Sequence, residues 1–158
     1  MLANGHSARY RGDVVPTSGI PSAAYILVVD DEPGVRRLAC QTLARGGYAT
    51  IEAEDGAEAL RILEDATPAI ALVLSDIRMP RLDGVQLESA CRERWPGLPV
   101  VLMSGEVTRD WVVRLVREGA HPVIRKPFQA DTLLQAIRAI LESPTGEGDN
   151  LAGGESAR

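Results

Sequence analysis

The sequence predicts an α/β protein, a doubly wound (βα)5 fold with a five-stranded parallel sheet, and two observations support it. Five short apolar runs indicate buried strands, at 25–30, 49–53, 70–76, 99–104 and 122–126. A helix-like segment follows each run, at about 33–45, 56–66, 84–94, 108–118 and 129–141. Nearly continuous apolar strands that alternate with helices are typical of a parallel sheet covered on both faces.

Turn and cap residues support these elements in chain order. Gly46 and Gly47 end the first predicted helix, Asp55 and Gly56 open the second, and Pro68 follows its end. In the last helix, Asp131 lies in the first turn, where the helix dipole favours an acidic side chain.

The two ends of the chain lack such periodicity. Residues 1–24 and 143–158 are punctuated by small and turn-forming residues, so we expect a disordered N-terminal arm and a disordered C-terminal tail. One domain at 25–142 remains between them.

The composition excludes several classes of protein. The 158 residues are 45% hydrophobic with a net charge of −5, which argues against direct nucleic-acid binding. No apolar stretch is long enough to span a membrane and the start lacks a secretory pattern, so we expect a cytoplasmic protein. Cys40 and Cys91 are too far apart for a metal motif and are interpreted as packing residues.

Polar side chains collect where the predicted strands end. Asp30 and Asp31 follow the first strand, Asp76 ends the third, Ser104 the fourth and Lys126 the fifth. Ligands of open α/β sheets bind at this edge. Three nearby carboxylates would raise at least one pKa unless a cation compensated them, and hard oxygen ligands favour Mg²⁺. The alternative is that these acids only cap a helix at its N-terminus.

Lys126, within "VIRKPF", is the only lysine beside sixteen arginines. An ammonium is a compact point charge, whereas a guanidinium is a wide planar fork. A narrow pocket that holds a metal and a phosphoryl group has room for the ammonium but not for the guanidinium. The alternative is that the single lysine stands at this position by chance.

Five segments in order resemble the receiver domain of two-component response regulators. They are "ILVVDDEPGVRRL", "EAEDGAEAL", "LVLSDIRMPRLDGVQL", "PVVLMSGE" and "VIRKPF". The resemblance covers 25–142 and implies a flavodoxin-like strand order 2-1-3-4-5.

The resemblance also implies site roles. Asp76 matches the phospho-acceptor, Lys126 the lysine that contacts the phosphoryl group, and Ser104 the hydroxyl that hydrogen-bonds it. Asp31, Asp76 and the backbone carbonyl of Arg78 match the Mg²⁺ ligands. Asp30 matches an acid that reaches the metal through water, and the bond before Pro127 is expected to be cis.

Three positions near the predicted site require separate interpretation. Val123 stands where receivers usually carry an aromatic switch residue, which puts the usual readout in doubt. In receivers, the positions that Arg78 and Glu106 match influence phosphoryl loss, and we expect the two residues to pair across the mouth of the site. The alternative is two solvated charges.

The leading hypothesis is a stand-alone phospho-acceptor rather than an enzyme. Its expected partner is a histidine kinase or a histidine phosphotransfer protein, with output through protein contacts or a role as phosphate shuttle. A homodimer through helix 108–118, strand 122–126 and helix 129–141 is possible by analogy with other receivers. A pseudo-receiver that binds partners without phosphorylation is the alternative. A dehalogenase-type phosphatase is remote, because Asp30 and Asp31 are adjacent rather than spaced and the chain is short.

Overall fold

The computed structural model describes residues 10–11, 24–65, 69–106, 108–110, 113, 117 and 123–142. Six strands lie within them: β1 Tyr10–Arg11, β2 Ala24–Val29, β3 Ala49–Ala53, β4 Ala69–Asp76, β5 Val100–Ser104 and β6 Val123–Arg125. The helices with described bounds are α1 Pro33–Arg45, α2 Gly56–Glu64, α3 Gly84–Arg94 and α4 Ala130–Glu142.

The sheet has the strand order β1-β3-β2-β4-β5-β6. Strands β2 to β6 are parallel, which confirms the predicted order 2-1-3-4-5 for the five strands. The sixth strand, β1, pairs antiparallel with β3 and was not predicted, since it lies in the stretch expected to be a disordered arm. The rest of that stretch before Ala24, and the predicted tail 143–158, lie outside the described residues.

The alternation of side chains along β2 divides the core into two layers. Ile26 and Val28 pack with α1 and α4 residues such as Leu43 and Leu133 on one face of the sheet. On the other face, β2 contributes Leu27 and Val29 to a cluster with Ala59, Leu87 and Cys91 of α2 and α3. Because both faces of β2 are buried, the run "YILVV" before Asp30 is apolar without interruption.

The helix boundaries follow the predicted turn residues closely. Gly46 caps α1, and Gly47 continues the turn at φ 89°, which glycine adopts without strain. Asp55 caps α2 by accepting a hydrogen bond from the Glu58 amide, and Asp83 forms a capping box with Gln86 at the start of α3.

The predicted helix 108–118 lies largely outside the described residues. Arg109, Asp110, Val113 and Arg117 are helical. In the part of the chain that the structure describes, no helix has the length and apolar character needed to cross a membrane.

Candidate functional site

Three carboxylates meet at the carboxyl edge of the sheet. Strands β2 and β4 are direct neighbours, so Asp30, one residue beyond β2, lies beside the end of β4 at Asp76. Oxygens of Asp30, Asp31 and Asp76 lie within 4.8 Å of one another. Asp30 and Asp76 are buried, whereas Asp31 is exposed. Topology therefore gathers the acids that the sequence placed at strand ends.

Lys126 bridges two of these acids. Its Nζ lies 2.7 Å from Oδ2 of Asp30 and 3.1 Å from Oδ1 of Asp76. Desolvation raises the pKa of the Asp76 carboxyl, and the charge of Lys126 only partly opposes it. Burial lowers the pKa of the Lys126 ammonium, but the hydrogen bond and charge of Asp30, together with Asp76, outweigh burial and raise it. The lone lysine is therefore the cation of this site.

The acidic group fits a hard divalent cation. Its ligand atoms are carboxylate oxygens, and the exposure of Asp31 leaves one side open to water and phosphate oxygens. Helix capping does not account for these acids. The N-cap residue of α1 is Glu32, whose side chain makes no capping hydrogen bond, and Asp30 Oδ1 instead accepts from the Glu32 amide at 2.9 Å. The role of the Arg78 carbonyl as a metal ligand stays a prediction.

Ser104 is engaged locally at the end of β5. Its hydroxyl donates to the Glu106 carbonyl at 3.0 Å and accepts from the Glu106 amide at 3.2 Å. The strand register sets Asp76 opposite Met103, so Ser104 lies just beyond the phospho-acceptor candidate. Ser104 would have to release Glu106 before its hydroxyl could bind a new oxygen at the site.

Arg78 and Glu106 form the ion pair predicted from the sequence. Nη2 of Arg78 lies 2.6 Å from Oε2 of Glu106, and both side chains are mostly exposed. The pair joins the loop after β4 to the loop after β5. Because the pair is solvated, its contribution to folding stability is small, and a role would be in controlling access.

The structure at β6 confirms the expected cis peptide and shows the surroundings of Val123. The Lys126–Pro127 peptide is cis, as expected from the resemblance. Val123 pairs with Leu102 and is half-buried against the core layer that contains Leu102. Val123 is therefore part of the packed sheet, at the position where receivers usually carry an aromatic ring.

A close backbone contact holds the loop between β4 and α3. A Cβ added to Gly84 would lie 2.2 Å from the Asp76 carbonyl oxygen, and the Gly84 amide donates to the Ile77 carbonyl at 2.8 Å. On the other side, Arg81, at φ 69°, pairs with Asp55 at the start of α2. The loop that follows Asp76 is thus fixed at two points.

Sequence reasoning missed one buried pair beside the site. Arg36 of α1 is 4% exposed and donates to the Asp30 carbonyl at 2.7 Å and to Glu52 Oε1 at 3.3 Å. A signal was available, because Arg36 precedes Ala39, Cys40 and Leu43 by three, four and seven residues. That spacing puts it on the buried stripe of α1.

Comparisons with known proteins agree with this geometry. The family model described as "Response regulator receiver domain" matches residues 26–138. The chain is 37% identical over 119 residues to the transcriptional regulatory protein GlrR of Escherichia coli, covering 75% of this chain and 26% of GlrR. It is also 37% identical over 129 residues to the response regulator protein FleR of Pseudomonas aeruginosa, covering 80% of this chain and 27% of FleR. The chain therefore spans about a quarter of the length of these curated relatives.

Solved structures of receiver domains share the fold. The receiver domain of NtrX from Brucella abortus superposes with a TM-score of 0.69 at 39% identity, covering 75% of this chain and 99% of that one. The chemotaxis protein CheY4 of Vibrio cholerae gives a TM-score of 0.67 at 28% identity, covering 74% and 98%. Since the family model matches well over half of the chain, this protein belongs to the response-regulator receiver domain family.

Proposed function

We propose that the chain accepts a phosphoryl group on Asp76 from a phosphohistidine, in a Mg²⁺-dependent reaction. The observation that carries the proposal is the position of Lys126, whose ammonium lies within 3.1 Å of both the buried Asp30 and Asp76. A cation beside a carboxylate cluster is what a site for an incoming phosphoryl group requires, because phosphoryl transfer depends on positioning and charge neutralisation.

Each residue has a definite part in this reaction. An Asp76 oxygen attacks phosphorus, the new O–P bond forms, and the P–N bond to the donor histidine breaks with its electron pair going to nitrogen. Lys126 stabilises charge on the phosphoryl oxygens. The three carboxylates would hold Mg²⁺, which neutralises the same oxygens when bound. The Ser104 hydroxyl then donates to a phosphoryl oxygen after leaving the Glu106 backbone.

The test is chemical phosphorylation. The chain is incubated with Mg²⁺ and acetyl phosphate, and its intact mass is measured. We expect a phosphoryl adduct that is absent from Asp76→Asn and present in the control Asp131→Asn, a change at an exposed helix residue. An adduct that persists in Asp76→Asn would show that another residue accepts the phosphoryl group. With the expected result, the chain would be a phosphoryl acceptor that assists its own phosphorylation and dephosphorylation, not a turnover enzyme.

We further propose that the Arg78–Glu106 pair partly screens the phosphoryl group from water. The pair spans the two loops that flank Asp76 and Ser104. Arg78→Ala should shorten the lifetime of the phosphorylated form, measured as decay of the adduct after donor removal. Arg92→Ala, in a pair on α3, is the control. An unchanged lifetime in Arg78→Ala would remove the screening role.

The partner and output remain proposals of the same kind. A histidine kinase or histidine phosphotransfer protein is the expected donor, and a cytoplasmic location suits such a partner. Output through protein contacts includes the homodimer predicted through 108–118, 122–126 and 129–141. Among the described residues of 108–118, Val113 has an apolar side chain that is 46% exposed. Light scattering before and after phosphorylation tests this: a mass that does not change would exclude phosphorylation-dependent dimerisation.

A non-phosphorylated binding module is the second candidate. Val123 favours it, since this half-buried valine replaces the usual aromatic switch. The two candidates separate on the mass experiment: no adduct with acetyl phosphate or with a phosphorylated kinase would favour the binding module. The predicted stand-alone role stays a prediction, because the matched segment covers only about a quarter of each curated relative.

A further inference from the structure

Arg36 contacts the acidic site from behind, through the backbone. Its Nη1 donates to the carbonyl oxygen of Asp30 at 2.7 Å, and its Nε donates to Glu52 Oε1 at 3.3 Å. Arg36 and Glu52 are 4% and 9% exposed. A buried guanidinium that binds two acceptors of different strands is costly to desolvate, so its geometry is closely defined.

The carbonyl that Arg36 holds belongs to the Asp30–Asp31 peptide. Both side chains on this peptide contribute to the carboxylate cluster. The orientation of the peptide plane therefore sets where the two carboxylates point. The other described contacts of Asp30 are its amide, which donates to the Ala53 carbonyl at 3.2 Å, its Oδ1, which accepts from the Glu32 amide at 2.9 Å, and its Oδ2, which accepts from Lys126 at 2.7 Å. Of the contacts described around Asp30, that of Arg36 is the one that reaches its carbonyl from α1.

Glu52 orients the arginine. In the sheet register it lies opposite Val28 of β2, one residue before the β3 end that faces Asp30. Glu52 thus holds the guanidinium of Arg36 near the strand ends. A neutral side chain at position 52 would leave the guanidinium free to turn. The fork geometry of arginine lets one group bind a carboxylate and a carbonyl together, which an ammonium does less well.

We propose that Arg36 is a positioning residue that presets the Asp30–Asp31 peptide for cation binding, with Glu52 as its anchor. This inference rests on the proposed Mg²⁺-dependent function. Groups that orient metal ligands typically change metal affinity about 10- to 100-fold when they are removed. The described contact of Arg36 with the carboxylate cluster is to the backbone carbonyl of Asp30, so it would act on the site through Asp30.

The test is Mg²⁺ binding by calorimetry on the unphosphorylated protein. Arg36→Met should raise the Kd for Mg²⁺ about 10-fold. Arg37→Met, an exposed neighbour with the same change of charge, should alter it less than about twofold. Arg36→Lys should fall between Arg36→Met and the parent. Phosphorylation by acetyl phosphate should slow in Arg36→Met at limiting Mg²⁺ and recover at saturating Mg²⁺.

A double variant separates positioning from general stability. Arg36→Met with Glu52→Leu removes both members of the buried pair, and stability in urea should recover relative to Arg36→Met alone. Its Kd for Mg²⁺ should stay as weak as that of the single variant, because the Asp30 carbonyl is still unheld. A double variant that binds Mg²⁺ as tightly as the parent would reduce Arg36 to a structural role. A parent that binds no Mg²⁺ would instead overturn the proposed function, and this inference with it.

Discussion

At the scale of single residues, the Lys126 ammonium lies between two carboxylates. Its Nζ contacts Asp30 and Asp76 at 2.7 and 3.1 Å, and its side chain is 15% exposed. A compact point charge at the end of a slender chain fits between two carboxylates at these distances better than a planar guanidinium does. The lysine is thus kept where each arginine elsewhere in the chain would be too wide.

Lys126→Arg tests this fit. Mg²⁺ binding should survive, because the three carboxylates remain, but phosphorylation-dependent switching should be lost, because the guanidinium cannot take the ammonium position. Calorimetry measures the first, and amide hydrogen exchange at 104–106 with and without acetyl phosphate measures the second. Arg125→Lys, at the exposed neighbour, is the control. Normal switching in Lys126→Arg would disprove the steric argument.

Asp55 gives a pH-dependent contribution to stability. The Glu58 amide, which donates to its carboxylate, and the charge of Arg81 lower the pKa of Asp55 despite its burial. A lowered folded pKa means that the stabilisation is present above the ordinary aspartate value of about 3.9 and is lost as the pH falls through the lower folded value. Asn keeps the capping acceptor but not the charge.

Asp55→Asn should therefore lower the free energy of unfolding by up to about 1 kcal/mol at pH 7, since Arg81 is largely exposed. The difference from the parent should shrink below about pH 3. Urea unfolding across pH measures both. Arg81→Gln should lose part of the same pH-dependent stability. A difference that is constant across pH would show that the charge of Asp55 contributes nothing.

At the scale of elements, α3 begins directly against the end of β4. Gly84 has no room for a Cβ, because the Asp76 carbonyl oxygen would lie 2.2 Å away and the Ile77 Cα 2.8 Å away. Both obstacles are backbone atoms, which cannot move aside without displacing the phospho-acceptor candidate. A Cβ added to Gly34, near the start of α1, would instead meet open space out to 4 Å.

These two glycines should respond in opposite directions to alanine. Gly84→Ala should destabilise the fold by about 2–3 kcal/mol through overpacking and should also weaken Mg²⁺ binding. Gly34→Ala should stabilise it by about 0.5–1 kcal/mol, since alanine loses less backbone entropy in a helix. Urea unfolding compares the two. A Gly84→Ala variant with the stability of the parent would contradict the close packing of α3 on β4.

At the scale of the whole molecule, the ionised Asp76 carboxylate costs stability when no metal ion is bound. Desolvation raises the pKa of Asp76 in the folded state, with Asp30 and Asp31 adding to it. The folded protein therefore binds the Asp76 proton more tightly than the unfolded chain does. The ionised carboxylate costs stability at neutral pH, and that cost is relieved as the pH falls through the raised folded value.

Asp76→Asn should accordingly be more stable than the parent in EDTA at pH 7, by about 1 kcal/mol. Mg²⁺ at about 100 times its Kd should stabilise the parent by about 2.7 kcal/mol and the variant by less. Thermal unfolding with EDTA and with Mg²⁺ measures both effects, and Asp131→Asn is the control. A variant less stable than the parent in EDTA would mean that the ion pair with Lys126 outweighs desolvation.

Much of the fold was predictable because its signals are local. The five parallel strands are short, mostly apolar runs, and α1 and α3 have the bounds 33–45 and 84–94 that were expected. The antiparallel strand β1 was not predicted, because two residues carry no periodic pattern and their pairing with β3 depends on distant sequence. The boundaries of β2, β4, β5 and α4 moved by one residue and the end of α2 by two, within the range over which helix and strand ends fray.

The sequence by itself determined the layer order, the strand ends and therefore the set Asp30, Asp76, Ser104 and Lys126, because parallel strands bring their carboxyl ends to one edge. Only the tertiary structure decided which partner each of these groups binds. Lys126 holds both Asp30 and Asp76, Ser104 is bound to Glu106, and a buried arginine supports Asp30 from α1. Such partners lie up to 96 residues apart, and spacing along a chain cannot encode distances of about 3 Å across it.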